Sequence, residues 1–249
     1  MKDCSLCPFR ASGVFSTLSD GSREVLKVSP RYYSKGEPIF LQGSPTEGTF
    51  ILCSGKVKVI QQSADGQETI VDIVSPCAVL GEAALAEDGE YALTAEALEA
   101  VEVKFLDKKT MQGLLSREGG LALEWIRRQA LALRQARARW AGLAHQPVRV
   151  RLASLLWELY SRYGRPLNGG WEIAVPLSRS EVAAMIGSTT ETAIRGLTQF
   201  EREGLLRLKR RMILLREPEK LRDIAERDER PEGRQSPLLR PSLQSILSR

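Results

Sequence analysis

Glu191 and Arg195 stand one helical turn apart in the stretch "GSTTETAIRGL", and their side chains suit base edges. A guanidinium donates two hydrogen bonds to guanine O6 and N7, and a carboxylate accepts from cytosine N4. A threonine such as Thr190 bonds phosphate or touches a thymine methyl. Ser188, Thr189, Thr192 and Gln199 on the same stretch are short polar groups that fit phosphate oxygens. Arg179 upstream and Lys209, Arg210 and Arg211 downstream add cations for a polyanionic backbone. The competing reading makes Glu191 the end of a capping box begun by Ser188, and Arg195 a solvated helical arginine.

Those groups need a scaffold, and "LSRSEVAAMIGSTTETAIRGLTQFEREGLL" (177–206) describes one. Ser178 and Glu181 have capping-box spacing, so a helix starts there with Val182, Met185 and Ile186 on one face. Gly187 permits a sharp turn, and Ser188 with Glu191 repeats the capping spacing. The second helix is then expected to bury Ile194, Leu197 and Phe200. Two short helices joined by a tight glycine turn make a helix-turn-helix. "GLLRLKRRMILLR" follows as strand, basic turn and strand, with Lys209, Arg210 and Arg211 at the tip. A cationic wing beside the helix pair favours nucleic-acid recognition over a bare helical hairpin.

The rest of the chain divides into a β-rich half and a helical link. From about 30 to 106, "FILCSG", "KVKVIQQ", "ETIVDIV" and "AVEVKFL" alternate with glycine turns, which suggests a compact barrel or sandwich. Asp65-Gly66 is the strongest hairpin signal. Beyond Phe105, Leu123, Ile126, Ala130, Leu133, Arg137, Trp140 and Ala144 recur in steps of three and four, a narrow heptad seam. It fits a dimer better than a helix lying on its own barrel. Pro147 ends that helix. Val148–Tyr163 opens a new unit, followed by a turn at Asn168-Gly169-Gly170. The expected segments are a cysteine-bearing extension (1–17), a β-roll (18–117), a dimerisation helix (118–145), a winged helix-turn-helix (146–217) and a charged tail (218–249), disordered from about 230.

With 249 residues, 43% of them hydrophobic, and a net charge of +5, the chain has ample core and a basic balance that suits an acidic partner. No apolar run approaches a membrane span and no signal sequence is evident, so a reducing cytoplasm is the expected compartment. The single histidine, His145, falls at the end of the long helix, which argues against a cupin-like metal enzyme. No nucleophile–base pair or phosphate-cradling loop is seen, so catalysis is not expected.

From about Leu18 to Leu215 the chain resembles the Crp/Fnr superfamily of bacterial transcription regulators. "SGKVKV", "VLGEAAL", the long helix and the E-T-x-x-R of Glu191, Thr192 and Arg195 carry the resemblance. It implies an α+β architecture: a cyclic-nucleotide-binding-like β-roll (jelly roll), a long dimerisation helix and a C-terminal winged helix-turn-helix. It also implies a homodimer, reading of a G·C pair in a TGA-type half-site of a palindrome, an effector sensed by the roll, and contact with RNA polymerase. In cyclic-nucleotide members a Gly-Glu pair is followed by an Arg-Ser pair that neutralises the phosphate. Gly81-Glu82 is present here, but Ala92 and Leu93 stand at the later pair. A phosphate buried without its cation costs several kcal/mol, so cyclic AMP is not the expected effector unless Arg134 or Arg137 of the long helix replaces the missing arginine. Gly81-Glu82 then reads as a turn with a structural carboxylate. Oxygen-sensing relatives hold an iron–sulfur cluster through an N-terminal cysteine cluster plus one roll cysteine. Cys4 and Cys7 have spacing for one side of a metal or iron–sulfur site, or for a dithiol switch. Cys53 and Cys77 either complete a set of four or are small buried apolar residues.

Overall fold

A computed structural model describes residues 13–86, 89–209 and 212–227. Cys4, Cys7, Arg210, Arg211 and the tail from 228 onward lie outside the described residues. In the first half, short strands bury apolar residues. They are β1 (Pro30–Tyr33), β2 (Pro38–Phe40), β3 (Gly48–Ser54), β4 (Val57–Gln62), β5 (Glu68–Val74), β6 (Val79–Leu80), β7 (Thr94–Ala97) and β8 (Val101–Asp107). Burial in β7 alternates along its length, while β3 and β8 are buried almost throughout. Two four-stranded sheets result, ordered β1-β8-β3-β6 and β2-β7-β4-β5. Phe50, Leu52, Val57, Val59, Ala95 and Val103 fill the space between them. The Asp65-Gly66 turn joins β4 to β5, with Gly66 at φ 81° and the Ser63 N–H donating to Gln67 O at 2.9 Å.

One outer face of this roll is covered by the N-terminal segment, which runs through a short 3-10 turn at Val14–Thr17 into α1 (Asp20–Arg23). Val14, Phe15 and Leu18 are buried there with Ile51, Leu106 and residues of the next two helices. Val14, Phe15 and Leu18 thus pack on the outside of the roll, in a cluster separate from the one between its sheets. Asp107 caps α2 (Lys108–Arg117) by accepting from the Thr110 N–H at 2.9 Å. That hydroxyl and backbone bonding by Thr110 holds the Asp107 carboxyl below its ordinary pKa.

Next comes α3 (Gly119–His145). It turns Leu121 into the N-terminal cluster and leaves its seam in the open. Leu123 is 69% exposed, Ile126 63%, Leu133 51% and Trp140 76%. An amphipathic helix lying on its own barrel would bury that stripe, so this alternative is excluded.

The second half contains α4 (Val148–Tyr163), β9 (Gly164–Leu167), β10 (Gly170–Ile173), α5 (Arg179–Met185), α6 (Thr190–Arg202), β11 (Leu206–Lys209), β12 (Met212–Leu215) and α7 (Pro218–Arg227). The strands form one antiparallel sheet in the order β11-β12-β10-β9. Leu221 of α7 is fully buried against this domain, and Ile224 packs beside it. The tail expected from 218 thus begins with a helix that belongs to the domain. A single apolar cluster joins Leu152, Leu156, Val182, Leu197 and Phe200 to Ile60, Ile70, Ile73 and Leu98 of the roll. The two halves share a core.

Candidate nucleic-acid interface

Ser178 builds the start of α5 as its spacing predicts. Its hydroxyl accepts from the Glu181 N–H at 3.2 Å, and the Glu181 carboxylate accepts from the Ser178 N–H at 2.7 Å. Val182, Ala183 and Ile186 are buried, and Met185 is half-buried. Gly187 then turns the chain at φ 58°. A Cβ there would lie 2.6 Å from Leu143 Cδ2, so the end of α3 packs directly on the turn between the two helices. Only glycine suits both the backbone and the contact.

The second helix departs from expectation in one respect. Thr189, not Ser188, is its N-cap and accepts from the Thr192 N–H at 3.2 Å. Ser188 instead donates to Thr189 O at 3.1 Å. Glu191 therefore has no capping duty and is exposed in the first turn, where the positive end of the helix dipole favours its charge. The buried face also differs from expectation at one position. Ala193, Leu197 and Phe200 are buried, while Ile194, expected inside, is 45% exposed.

Thr190, Glu191, Ile194 and Arg195 thus lie together on one exposed face of α6, with Gln199 a turn further on. The Arg195 guanidinium donates to Thr192 Oγ1 at 3.3 Å, and Thr189 donates to the same oxygen at 2.9 Å. Sequence reasoning missed Ile194. The i, i+4 pairing of Thr190 with Ile194, beside Glu191 with Arg195, was the available signal. Gln199 donates to Glu203 at 3.1 Å. Glu203 also receives two bonds from Arg149, at 2.9 and 2.7 Å, and these hold its carboxyl below the ordinary value. Lys209, at the end of β11, is exposed. Arg179 is half-buried: its Nη1 has no hydrogen-bond partner among the described residues, and burial lowers its pKa.

The reading head is tied to the roll at several points that local pattern did not reveal. Lys58 on β4 bonds Glu96 at 2.8 Å and Glu181 at 3.4 Å. Arg162 pairs with Asp72 at 2.8 Å and also donates to Ile73 O. The Tyr163 hydroxyl donates to Ile73 O at 2.6 Å, and burial pushes its pKa up to about 12. Burial works against the Glu181 carboxylate, yet bonds from Ser178 and the charge of Lys58 hold its pKa below the ordinary value.

Residues 30–118 match the model for a cyclic nucleotide-binding domain, and residues 150–224 match a Crp-like helix-turn-helix domain. The chain is 30% identical over 195 residues to the cyclic AMP receptor protein of Thermus thermophilus, covering 78% of this chain and 87% of that protein. The chain belongs to the Crp/Fnr superfamily of transcription regulators. A cAMP-activated global transcriptional regulator of Mycobacterium tuberculosis is 25% identical, covering 84% of this chain and 95% of that one. Among solved structures, FixK2 of Bradyrhizobium japonicum superposes with a TM-score of 0.70 at 25% identity, covering 79% of this chain and 96% of that one. No helix among the described residues is long and apolar enough to cross a membrane.

Around Gly81 the roll is built as follows. Gly81 takes φ 79° and starts a short 3-10 turn, Glu82–Leu85. A Cβ on it would meet Tyr91 Cε1 at 2.9 Å. Tyr91 is buried, donates to Gly48 O at 2.8 Å and stacks on Phe40 with ring centroids 4.1 Å apart. Aromatic side chains therefore occupy the interior beside this turn. Glu82 and Ala92 are exposed and Leu93 is half-buried. Arg134 and Arg137 are exposed on α3, and among the described residues neither forms an ion pair with Glu82. A groove of about 670 Å³ lies elsewhere, between Val25, Val28, Arg31, Phe105 and Thr110. His145 is exposed in the last turn of α3, a place where a cation or donor meets the helix dipole.

Proposed function

We propose that this Crp/Fnr regulator binds a palindromic DNA site as a homodimer, with α6 of each subunit in the major groove. Arg195 grips guanine O6 and N7, Glu191 accepts from the paired cytosine, and Thr190 contacts a neighbouring base. Ser188, Thr189, Thr192 and Gln199, with Lys209, Arg210 and Arg211 of the wing, hold the phosphates. Arg179 joins them if its half-buried side chain swings out. The observation that carries the reading is the exposed face of α6, where Glu191 is free of capping and Arg195 lies one turn away. The exposed stripe of Leu123, Ile126, Ala130, Leu133, Arg137 and Trp140 supports self-association through α3. Family resemblance adds RNA polymerase as a partner and the cytoplasm as the compartment.

Leu143 against Gly187, and Lys58 against Glu181, connect both the dimer helix and the roll to the helix pair. A signal that moves the roll or α3 therefore reaches the reading head by direct contact. The test is selection of bound duplexes from a random library. The expected product is an inverted repeat with half-site centres one helical turn apart, about 10 base pairs. Recovery of asymmetric sites, or of no consensus, would overturn the proposal.

A further inference from the structure

One large apolar side chain of the helix pair is left in the open. Val182, Ile186, Leu197 and Phe200 are buried and Met185 is half-buried, whereas Ile194 is 45% exposed. It takes no part in the apolar cluster that joins Leu197 and Phe200 to α4 and the roll. A β-branched residue is also a poorer helix former than the lysine or glutamate that suits an exposed helical position. A lone exposed isoleucine is ordinary on a protein surface; the place of this one makes it informative.

Each residue advances a helix by about 100°, so Ile194 lies about 60° round the axis from Glu191 and about 40° from Thr190, between the two. Across the exposed face the order is Thr190, Ile194, Glu191 and Arg195, with Gln199 and Thr192 beyond. Thr189 and Arg195 both donate to the Thr192 hydroxyl, at 2.9 and 3.3 Å, so the Thr192 edge of the face is polar. Ile194 borders the Glu191–Arg195 pair on the opposite edge.

An isoleucine offers a base neither donor nor acceptor, and it cannot hold a phosphate. Among base edges in the major groove, the apolar feature is the C5 methyl of thymine. Adenine and guanine present their N7 acceptors there and cytosine its amino group, and such groups lose water without replacement when set against hydrocarbon. The χ1 angle of a helical isoleucine is held near one value. Its methyl groups are therefore in place before DNA arrives, and little side-chain freedom is lost on binding. Thr190, one turn earlier, carries a second methyl on the same side of the helix. We propose that Ile194 is a specificity-determining residue, reading the 5-methyl group of a thymine in the base pair next to the G·C pair of Glu191 and Arg195. The proposal rests on the DNA-binding reading above and adds the identity of a second base pair.

The experiment titrates the full chain with duplexes in which each thymine of the selected site is replaced in turn by uracil, which lacks only the methyl group. At the base pair next to the G·C pair, uracil is expected to weaken binding about fourfold, the worth of one buried methyl-sized group. With cytosine at that position, 5-methylcytosine is expected to bind better than cytosine by a similar factor. Ile194→Ala is expected to bind the thymine and uracil duplexes equally, with an unchanged denaturation midpoint because the side chain is exposed. Ile194→Val, which keeps the branched methyls, is expected to retain the difference, and so is Arg195→Ala. Uracil tolerated at every position, or a thymine–uracil difference that survives Ile194→Ala, would overturn the proposal. Relaxed reading of one G·C pair by Arg195→Ala with no uracil effect would remove this proposal and leave the α6 reading standing. Absence of any preferred site for the parent chain would remove both.

Discussion

Thr189 takes the N-cap of α6, and a shift of one residue decides what Glu191 can do. The sequence offers Ser188, Thr189 and Thr190 in a row, all competent caps, so spacing to Glu191 made Ser188 the natural choice. The structure pairs Thr189 with the Thr192 N–H instead. The buried face differs from expectation at one position, with Ala193 inside and Ile194 outside, while Leu197 and Phe200 are buried as expected. Local chemistry thus made the helix pair legible, while its cap and one inward residue depended on tertiary packing. Two outcomes follow. Thr189→Ala is expected to cost about 1 kcal/mol of stability, whereas Glu191→Ala leaves the denaturation midpoint unchanged and weakens binding only to the preferred site. Equal destabilisation by both would return Glu191 to a capping role. Gly187→Val is expected to lower both stability and DNA affinity, because it strains a positive φ and strikes Leu143. Denaturant titration beside DNA titration checks both effects.

At the scale of elements, the heptad pattern of α3 was read directly from the sequence. Its exposure in the structure leaves a stripe that a partner helix would cover. Leu133→Glu with Trp140→Glu is expected to give monomers that bind DNA at least tenfold more weakly, read by light scattering and DNA titration. A stable dimer of this variant would place the interface elsewhere. The seam of β5 against α4 and α5 was not legible, because Asp72 with Arg162 and Lys58 with Glu181 are brought together across about a hundred residues. Tyr163 gives that seam a pH signature. Its folded pKa, about 12, exceeds its unfolded value near 10, so its contribution is fully present below pH 10 and is lost as pH rises from 10 towards 12. Tyr163→Phe is expected to flatten this alkaline limb in denaturation experiments from pH 9 to 11.5. Glu181 acts in the opposite sense. Its depressed pKa means that its contribution is present above the unfolded carboxylate value near 4.3 and fades as pH falls below it.

For the whole molecule, composition and the change from strand to helix marked the two halves, but not the shared core that Ile60, Ile70, Ile73 and Leu98 make with the DNA-binding domain. Contacts between surfaces leave no period in a sequence. The shared core holds the helix pair directly against the roll. Relatives named for cyclic AMP share this architecture, yet Ala92 and Leu93 provide no cation for a phosphate. Cyclic AMP is therefore expected to leave DNA affinity unchanged, since a ligand shifts a switch only through differential affinity for its states. Tighter DNA binding on addition of micromolar cyclic AMP would contradict this. The most direct test of sequence-specific reading by α6 compares the parent chain with Arg195→Ala on duplexes carrying every single-base-pair change in one half-site. Loss of about 1–3 kcal/mol, with discrimination relaxed at one G·C pair and retained elsewhere, is the predicted result. A uniform loss at every duplex, reducing only the salt dependence, would make Arg195 a phosphate contact and contradict the account.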